Sequence, residues 1–153
     1  MKKIMIVDDN YLSAEGIEKN IDWEALNAEI IHVCYNGTSA IEAMKKEPAD
    51  LIISDIEMPD LDGISMSRQA LEINPMVKII LISAYDKFEY ARRALLLGAL
   101  DYIEKPLDYT YLIQKVKNAF ALMEKEQKNL QLLKQSRPLL TEKFFREITH
   151  LPS

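Results

Sequence analysis

The sequence predicts an α/β fold: a doubly wound sheet of five parallel strands, with helices on both faces and a helical extension at the C-terminus. Three observations carry that expectation. Short apolar runs alternate with amphipathic helical patterns five times along the chain, as in a parallel sheet joined by helical crossovers. The run Leu51-Ile52-Ile53 is apolar without alternation and bounded by turn signals, as a strand covered on both faces should be. Finally, Asp8, Asp9, Asp55, Ser83 and Lys105 all fall at the ends of such runs. In an open parallel sheet, the space outside the carboxyl ends of the strands is where ligands bind.

Each element has its own signals. Lys3 to Val7 reads as the first strand and runs straight into Asp8-Asp9-Asn10. The helix that follows is expected to turn Leu12, Ile17 and Ile21 inward. Asp22-Trp23-Glu24-Ala25-Leu26 reads as a short helical piece capped by Asp22, with Trp23, the only tryptophan, as a packing anchor. Glu29 to Tyr35 alternates as a second strand. Asn36-Gly37-Thr38 turns into a helix carrying Ile41, Ala43 and Met44, and Lys45-Lys46-Glu47-Pro48 stops it with cations at the negative end of its dipole. The Asp55 strand comes next. Met58-Pro59-Asp60-Leu61-Asp62-Gly63 breaks it and starts a helix carrying Ile64, Met66, Ala70, Leu71 and Ile73. Val77 to Ile82 is a fourth strand, ending in Ser83-Ala84. A helix through Phe88, Ala91, Ala94 and Leu95 closes at Gly98, and Ala99 to Ile103 is a short fifth strand. Asp108 caps the last helix, whose inward residues are Leu112, Ile113, Val116 and Phe120.

Beyond Phe120 the helical pattern continues. Val116, Met123 and Leu130 recur every seven residues, and Ala119 and Leu133 share a second seam that Glu126 interrupts. This reads as a short dimer coil or a solvated linker. Arg137-Pro138 is expected to break it. Leu139, Leu140, Phe144, Phe145 and Ile148 then mark a further amphipathic helix.

Composition narrows the function. The 153 residues suffice for one domain with an appendage. A net charge of −5 argues against direct nucleic-acid binding by this chain. Cys34 is the only cysteine, so no disulfide forms within the chain, and zinc lacks its ligands. His32 and His150 are far apart in sequence. The chain has no long apolar run and no signal-peptide pattern, and is expected to be cytoplasmic.

The chemistry converges on Asp55. Its bland reading is a turn cap, and a cap likewise accounts for one of Asp9 and Asn10. It does not account for the pair Asp8-Asp9, in which each carboxylate raises the cost of ionising the other. A divalent cation relieves that cost, and Mg²⁺ suits carboxylate and phosphate oxygens. With the charge neutralised, a carboxylate attacks phosphorus. Lys105 offers a fixed positive charge and Ser83 a hydroxyl to phosphoryl oxygens, and phosphoryl transfer needs mostly positioning and charge stabilisation.

These residues carry a family resemblance. Val7-Asp8-Asp9, Ser54-Asp55-Ile56-Glu57-Met58-Pro59 with Asp62-Gly63, Ile82-Ser83-Ala84 and Tyr102-Ile103-Glu104-Lys105-Pro106 resemble, in order and spacing over about residues 1 to 120, the receiver domain of two-component response regulators. The resemblance implies a flavodoxin-like fold with sheet order 2-1-3-4-5 and phosphorylation of Asp55 by a sensor histidine kinase. It implies Mg²⁺, or Mn²⁺, at Asp8, Asp9, Asp55 and the backbone carbonyl of Glu57. It implies Ser83, Ala84 and Lys105 at the phosphate and a cis bond between Lys105 and Pro106. It also implies a switch in which Ser83 moves toward the phosphate and Tyr102 turns inward, with homodimerisation or release of a DNA-binding domain as the output. Against this stands Tyr102 as a plain edge-strand aromatic. Glu57 and Tyr85 fall at positions that tune loss of the phosphoryl group in this family.

Asp22 to Leu26, Tyr85-Asp86-Lys87-Phe88-Glu89-Tyr90-Ala91 and the long last helix are similar to the subfamily whose receivers precede an AraC-type DNA-binding domain. On that reading residues 1–121 are the receiver and 122–153 a helical linker with the start of an intervening region. DNA is then met only through a domain outside this sequence, and no membrane is involved. The receiver itself is not an enzyme in the ordinary sense; it is a phosphoacceptor that assists its own phosphorylation and dephosphorylation. Three other readings compete. A haloacid-dehalogenase-like hydrolase wants Asp-x-Asp-x-Thr at the first strand, where Asp8-Asp9-Asn10 stands. A flavin or nucleotide binder wants a Gly/Ser/Thr-rich phosphate loop there. A receiver that has lost phosphorylation needs no intact acidic cluster.

Overall fold

A computed structural model describes residues 1–84 and 88–149, without the side chains of Phe88, Tyr90, Ala91 and 136–149. The expectations placed on Tyr85 to Lys87, on the side chains of Phe88 and Ala91, and on the apolar side chains from Leu139 to Ile148 lie outside the described residues. Strands β1 (Lys2–Val7), β2 (Ala28–Cys34), β3 (Leu51–Asp55), β4 (Lys78–Ser83) and β5 (Asp101–Glu104) alternate with helices α1 (Tyr11–Asn20), α2 (Gly37–Lys46), α3 (Gly63–Ile73), α4 (Phe88–Leu97) and α5 (Tyr109–Thr149). All the strand pairs are parallel, in the order β2-β1-β3-β4-β5. The chain divides into two units, Met1–Ala119 and Phe120–Ser153.

In the first unit the central strands are buried because their residues are apolar on both faces. Ile4 to Val7, Leu51 to Ile53 and Ile79 to Ile82 are all at most 1% exposed. The helices cover them with Ala14, Ile17, Ile41, Met44, Ile64, Met66, Ala70, Ala94, Leu112 and Val116. Asparagine and aspartate side chains start the helices. Asn10 accepts from the Leu12 and Ser13 N–H groups, Asn36 from Ser39 and Asp62 from Ser65. Asp108 accepts from Thr110 and Tyr111 at the start of α5.

The register aligns the strand ends. Val7 lies opposite Cys34 on one side and Ser54 on the other, Asp55 opposite Ile82, and Ser83 opposite Glu104. The order reverses between β1 and β3, since β2 lies on one side of β1 and the rest of the sheet on the other. That makes the crevice outside β1 and β3 the topological switch point.

Four expectations need correction. Leu12 is 80% exposed; Ala14, Ile17 and Ile21 make the inward contacts instead. Leu95 is 65% exposed, because Ala94 occupies the sheet-facing position of α4. Asp22 to Leu26 forms turns rather than a helical piece. The Asp22 carboxylate accepts from the Ala25 N–H, and the Trp23 carbonyl accepts from both Leu26 and Ala28. Trp23 is nonetheless the anchor of that connection: it is buried, and its indole N–H donates to the Ile17 carbonyl at 3.2 Å. In the second unit, α5 runs through Pro138 to Thr149 without a break. A proline removes one N–H donor from the helical ladder, while its Leu-, Lys- and Gln-rich neighbours are good helix formers. Leu130, Leu132 and Leu133 in this unit are at least half exposed.

Gly63 shows how tightly the fold grips the loop that follows Asp55. A Cβ there would lie 2.2 Å from the Asp55 carbonyl oxygen and 2.9 Å from the Ile56 Cα. Backbone cannot yield as a side-chain tip does. Gly63→Ala is therefore expected to cost about 1–3 kcal/mol, read as a lower urea midpoint at unchanged m value.

Candidate functional site

The site is built from strand ends. Asp8 follows β1, and its N–H donates to the Cys34 carbonyl at 3.0 Å. One carboxylate oxygen of Asp8 accepts from the Asn10 N–H at 2.9 Å. Asn10 caps α1 through its own side-chain oxygen, which leaves the Asp8-Asp9 pair to be explained by something else. Asp55 ends β3, 7% exposed. The next residue is held across the sheet by the Ile56 N–H donating to the Ile82 carbonyl. Ser83 ends β4, fully buried, and its carbonyl accepts the Lys105 N–H at 2.8 Å. Lys105 follows β5, and the Lys105–Pro106 peptide bond is cis.

This scaffold brings four of the charged residues together. Carboxylate oxygens of Asp8, Asp9 and Asp55 all lie within 4.8 Å of one another. The Lys105 ammonium sits 3.2 Å from Asp8 Oδ2 and 3.6 Å from Asp55 Oδ2. Asp8 is 2% exposed, and Asp9 is open to solvent. Burial, then the charge of Asp8, pushes the Asp55 carboxyl up to about 6; Lys105 and the Glu57 N–H oppose the rise. For Lys105 burial works against the ammonium, but Asp55 and Asp8 outweigh it and hold the pKa above the usual lysine value.

The donor set fits a hard divalent cation. It is all carboxylate oxygen, with no thiol or imidazole, and two of its members are buried. One lysine leaves an excess of negative charge in a partly desolvated place, and the raised Asp55 pKa reflects its burial first and the Asp8 charge second.

The other expected residues lie outside this charged group. Glu57 is half-buried beside Asp55, while Ala84 is exposed. Tyr102 is half-buried and packs against the core cluster. Cys34 is buried, and burial pushes its thiol up to about 11, as for an inert packing residue.

Asp60 is a positioning residue that the sequence reading passed over. Its carboxylate accepts from the backbone N–H groups of Gly37 and Thr38, at 3.3 and 3.1 Å, and tethers the β3–α3 loop to the start of α2. The Thr38 side-chain hydrogen bond, followed by the backbone N–H groups, brings its pKa down to about 2. The signal was present in Asn36-Gly37-Thr38, but the 22 residues from Thr38 to Asp60 hid the partner.

A five-stranded parallel sheet with an acidic cluster and a lysine at its switch point defines a class of protein, and the comparisons agree. Residues 4–117 match the response regulator receiver domain, and the chain belongs to that family. Among solved structures it is similar to the receiver domain of AraT, a response regulator from Geobacillus stearothermophilus. Identity is 34%, with a TM-score of 0.78 over 82% of this chain and 98% of that one. It is also similar to a two-component transcriptional regulator AraC from Clostridium phytofermentans, at 31% identity and a TM-score of 0.74 over 84% and 99% of the two chains. Among curated proteins, the transcriptional regulatory protein YesN of Bacillus subtilis is 29% identical over 126 residues, 82% of this chain and 34% of YesN. The chain spans about a third to a half of the length of the curated relatives it matches. Among the described residues, no helix is long and apolar enough to cross a membrane.

Proposed function

We propose that this receiver accepts a phosphoryl group on Asp55 from a sensor histidine kinase and passes the change on to a transcription-regulating DNA-binding domain. The observation that carries the reading is the pairing of buried Asp55 with Asp8 and Lys105 at the switch point. An Asp55 carboxylate oxygen bonds to phosphorus, the phosphorus–nitrogen bond to the donor histidine breaks, and the imidazole leaves with a proton. Asp8, Asp9, Asp55 and the Glu57 carbonyl would hold Mg²⁺, which supplies charge neutralisation. Lys105 balances charge on one phosphoryl oxygen, and the Ser83 hydroxyl donates to another. The Ala84 backbone adjoins that site. Ser83 and Tyr102 then shift together, a charge event biasing a two-state element. Homodimerisation is the proposed output, with residues 122–153 as the connection onward.

The test is incubation with acetyl phosphate, with and without Mg²⁺, read by intact mass and by sizing. A one-phosphoryl gain that needs Mg²⁺ supports the reading. No gain under either condition overturns it in favour of a binding module that works without phosphorylation. In the same samples, EDTA is expected to reduce uptake to background.

A further inference from the structure

We infer that Asp60 couples the acidic cluster to the start of α2: by holding the loop that carries the Glu57 carbonyl it raises the affinity of the cluster for a divalent cation, and the bound cation in turn steadies the first turn of α2. The inference rests on the reading that Asp8, Asp9, Asp55 and the Glu57 carbonyl hold such a cation.

The loop after Asp55 is held at separate points. The Ile56 N–H donates to the Ile82 carbonyl at 2.9 Å, and the Ile56 carbonyl accepts the Gly63 N–H at 2.8 Å. The Met58 side chain is buried in the core. Pro59 is exposed and has no N–H to give. The next hold is Asp60, whose carboxylate accepts from Gly37 at 3.3 Å and from Thr38 at 3.1 Å. Gly37 and Thr38 are the first two residues of α2, so their N–H groups are among those a helix leaves without internal partners. A carboxylate there also meets the positive end of the helix dipole. The contact is close as well as polar. A Cβ on Gly37 would lie 2.3 Å from the Leu61 carbonyl oxygen and 2.7 Å from the Leu61 Cβ. The loop therefore lies against the backbone of α2, with no room to shift toward it.

The next N–H of α2 is served differently. Ser39 donates to Asn36 Oδ1 at 2.8 Å, a cap made within the start of α2 itself. Gly37 and Thr38 thus depend on the loop, and Ser39 does not. A cation held by Asp55 and the Glu57 carbonyl restrains the same loop from the side of the cluster. Each restraint lowers the ordering cost of the other, and coupling of this kind is reciprocal.

The experiment titrates the protein with Mg²⁺ alone, by calorimetry, and follows amide exchange by NMR with and without the cation. Both are run at about 0.15 M salt, where exposed charges more than about 8 Å apart are largely screened. Saturating Mg²⁺ is expected to slow exchange at Gly37 and Thr38 about three- to tenfold and to leave Ser39 unchanged. Asp60→Ala is expected to weaken Mg²⁺ binding by the same factor, less than the ten- to hundredfold typical of a group bonded directly to a metal ligand. Asn36→Ala is the control: it should lower the urea midpoint by removing a cap, with Mg²⁺ affinity unchanged. Asp60→Ala that binds Mg²⁺ as the parent does overturns the inference. So does an equal loss of affinity in Asn36→Ala, or Mg²⁺ that slows Ser39 as much as Gly37 and Thr38. A parent that binds no Mg²⁺ is a separate result: it overturns the cation reading and takes this inference with it.

Discussion

Asp55→Asn is expected to abolish phosphoryl uptake and, in the same protein, to raise stability at neutral pH in the absence of metal. The first effect follows because an amide is not a nucleophile toward phosphorus. The second follows from the environment of Asp55. Burial and the neighbouring Asp8 lift its carboxyl from 3.8 to about 6. A carboxyl whose folded pKa lies above its unfolded value favours the folded state when protonated. That stability is fully present below pH 3.8, falls as pH rises toward 6, and is gone above it. The difference amounts to about 3 kcal/mol at pH 7. Asparagine keeps the shape without the charge, so the urea midpoint of the variant in EDTA should exceed the parent's by an amount equivalent to about 2–3 kcal/mol. Mg²⁺ should then stabilise the parent more than the variant, since a ligand that binds only the folded state shifts the equilibrium by its affinity. A variant that is less stable than the parent in EDTA at pH 7 overturns this account of the site.

The strands and the convergence of charged residues at their ends were legible because both are written locally. A strand buried on both faces shows as an uninterrupted apolar run, and Ile4 to Val7, Leu51 to Ile53 and Ile79 to Ile82 have no other plausible place. Position at the end of such a run then assigns Asp8, Asp55, Ser83 and Lys105 to one edge without knowledge of the packing.

Helix faces were less legible, for a physical reason. Leu12 and Leu95 satisfy a helical hydrophobic pattern, but the small residues Ala14 and Ala94 face the sheet, where helix and strand approach closely. Apolar periodicity ranks large side chains first and so misplaces the stripe. The Asp22 to Leu26 turns failed differently. Asp22 accepts from the N–H three residues on, as a helix cap does, and only the Trp23 carbonyl, taken by both Leu26 and Ala28, shows that no helix follows. The contribution of Asp60 was invisible because its partners lie on another loop.

Lys105→Met carries the other large expected effect, opposite in sign to that of Asp55→Asn. Methionine keeps much of the length and apolar stem of lysine and removes only the charge. Asp8 and Asp55, both buried, then face each other without the ammonium that now lies 3.2 and 3.6 Å away. Removing one partner of a buried ion pair leaves an uncompensated charge and costs about 3–5 kcal/mol. Lys105 is itself one-fifth exposed, and solvent screening brings the cost below that range, to about 2–3 kcal/mol. The pH profile separates this cause from lost packing. The raised pKa of Lys105 means that its stabilisation is complete at neutral pH and is lost only as pH rises through the lysine range. Without it, the Asp55 carboxyl should rise above 6, and acidification to pH 5 should recover most of the lost stability by protonating it. Adding Asp55→Asn to Lys105→Met should recover it at pH 7 as well, because the repulsion needs both carboxylates. A deficit in Lys105→Met that is the same at pH 5 and pH 7, and that the second substitution leaves in place, would mean that the lysine acts through packing, and the electrostatic account of the site would fail.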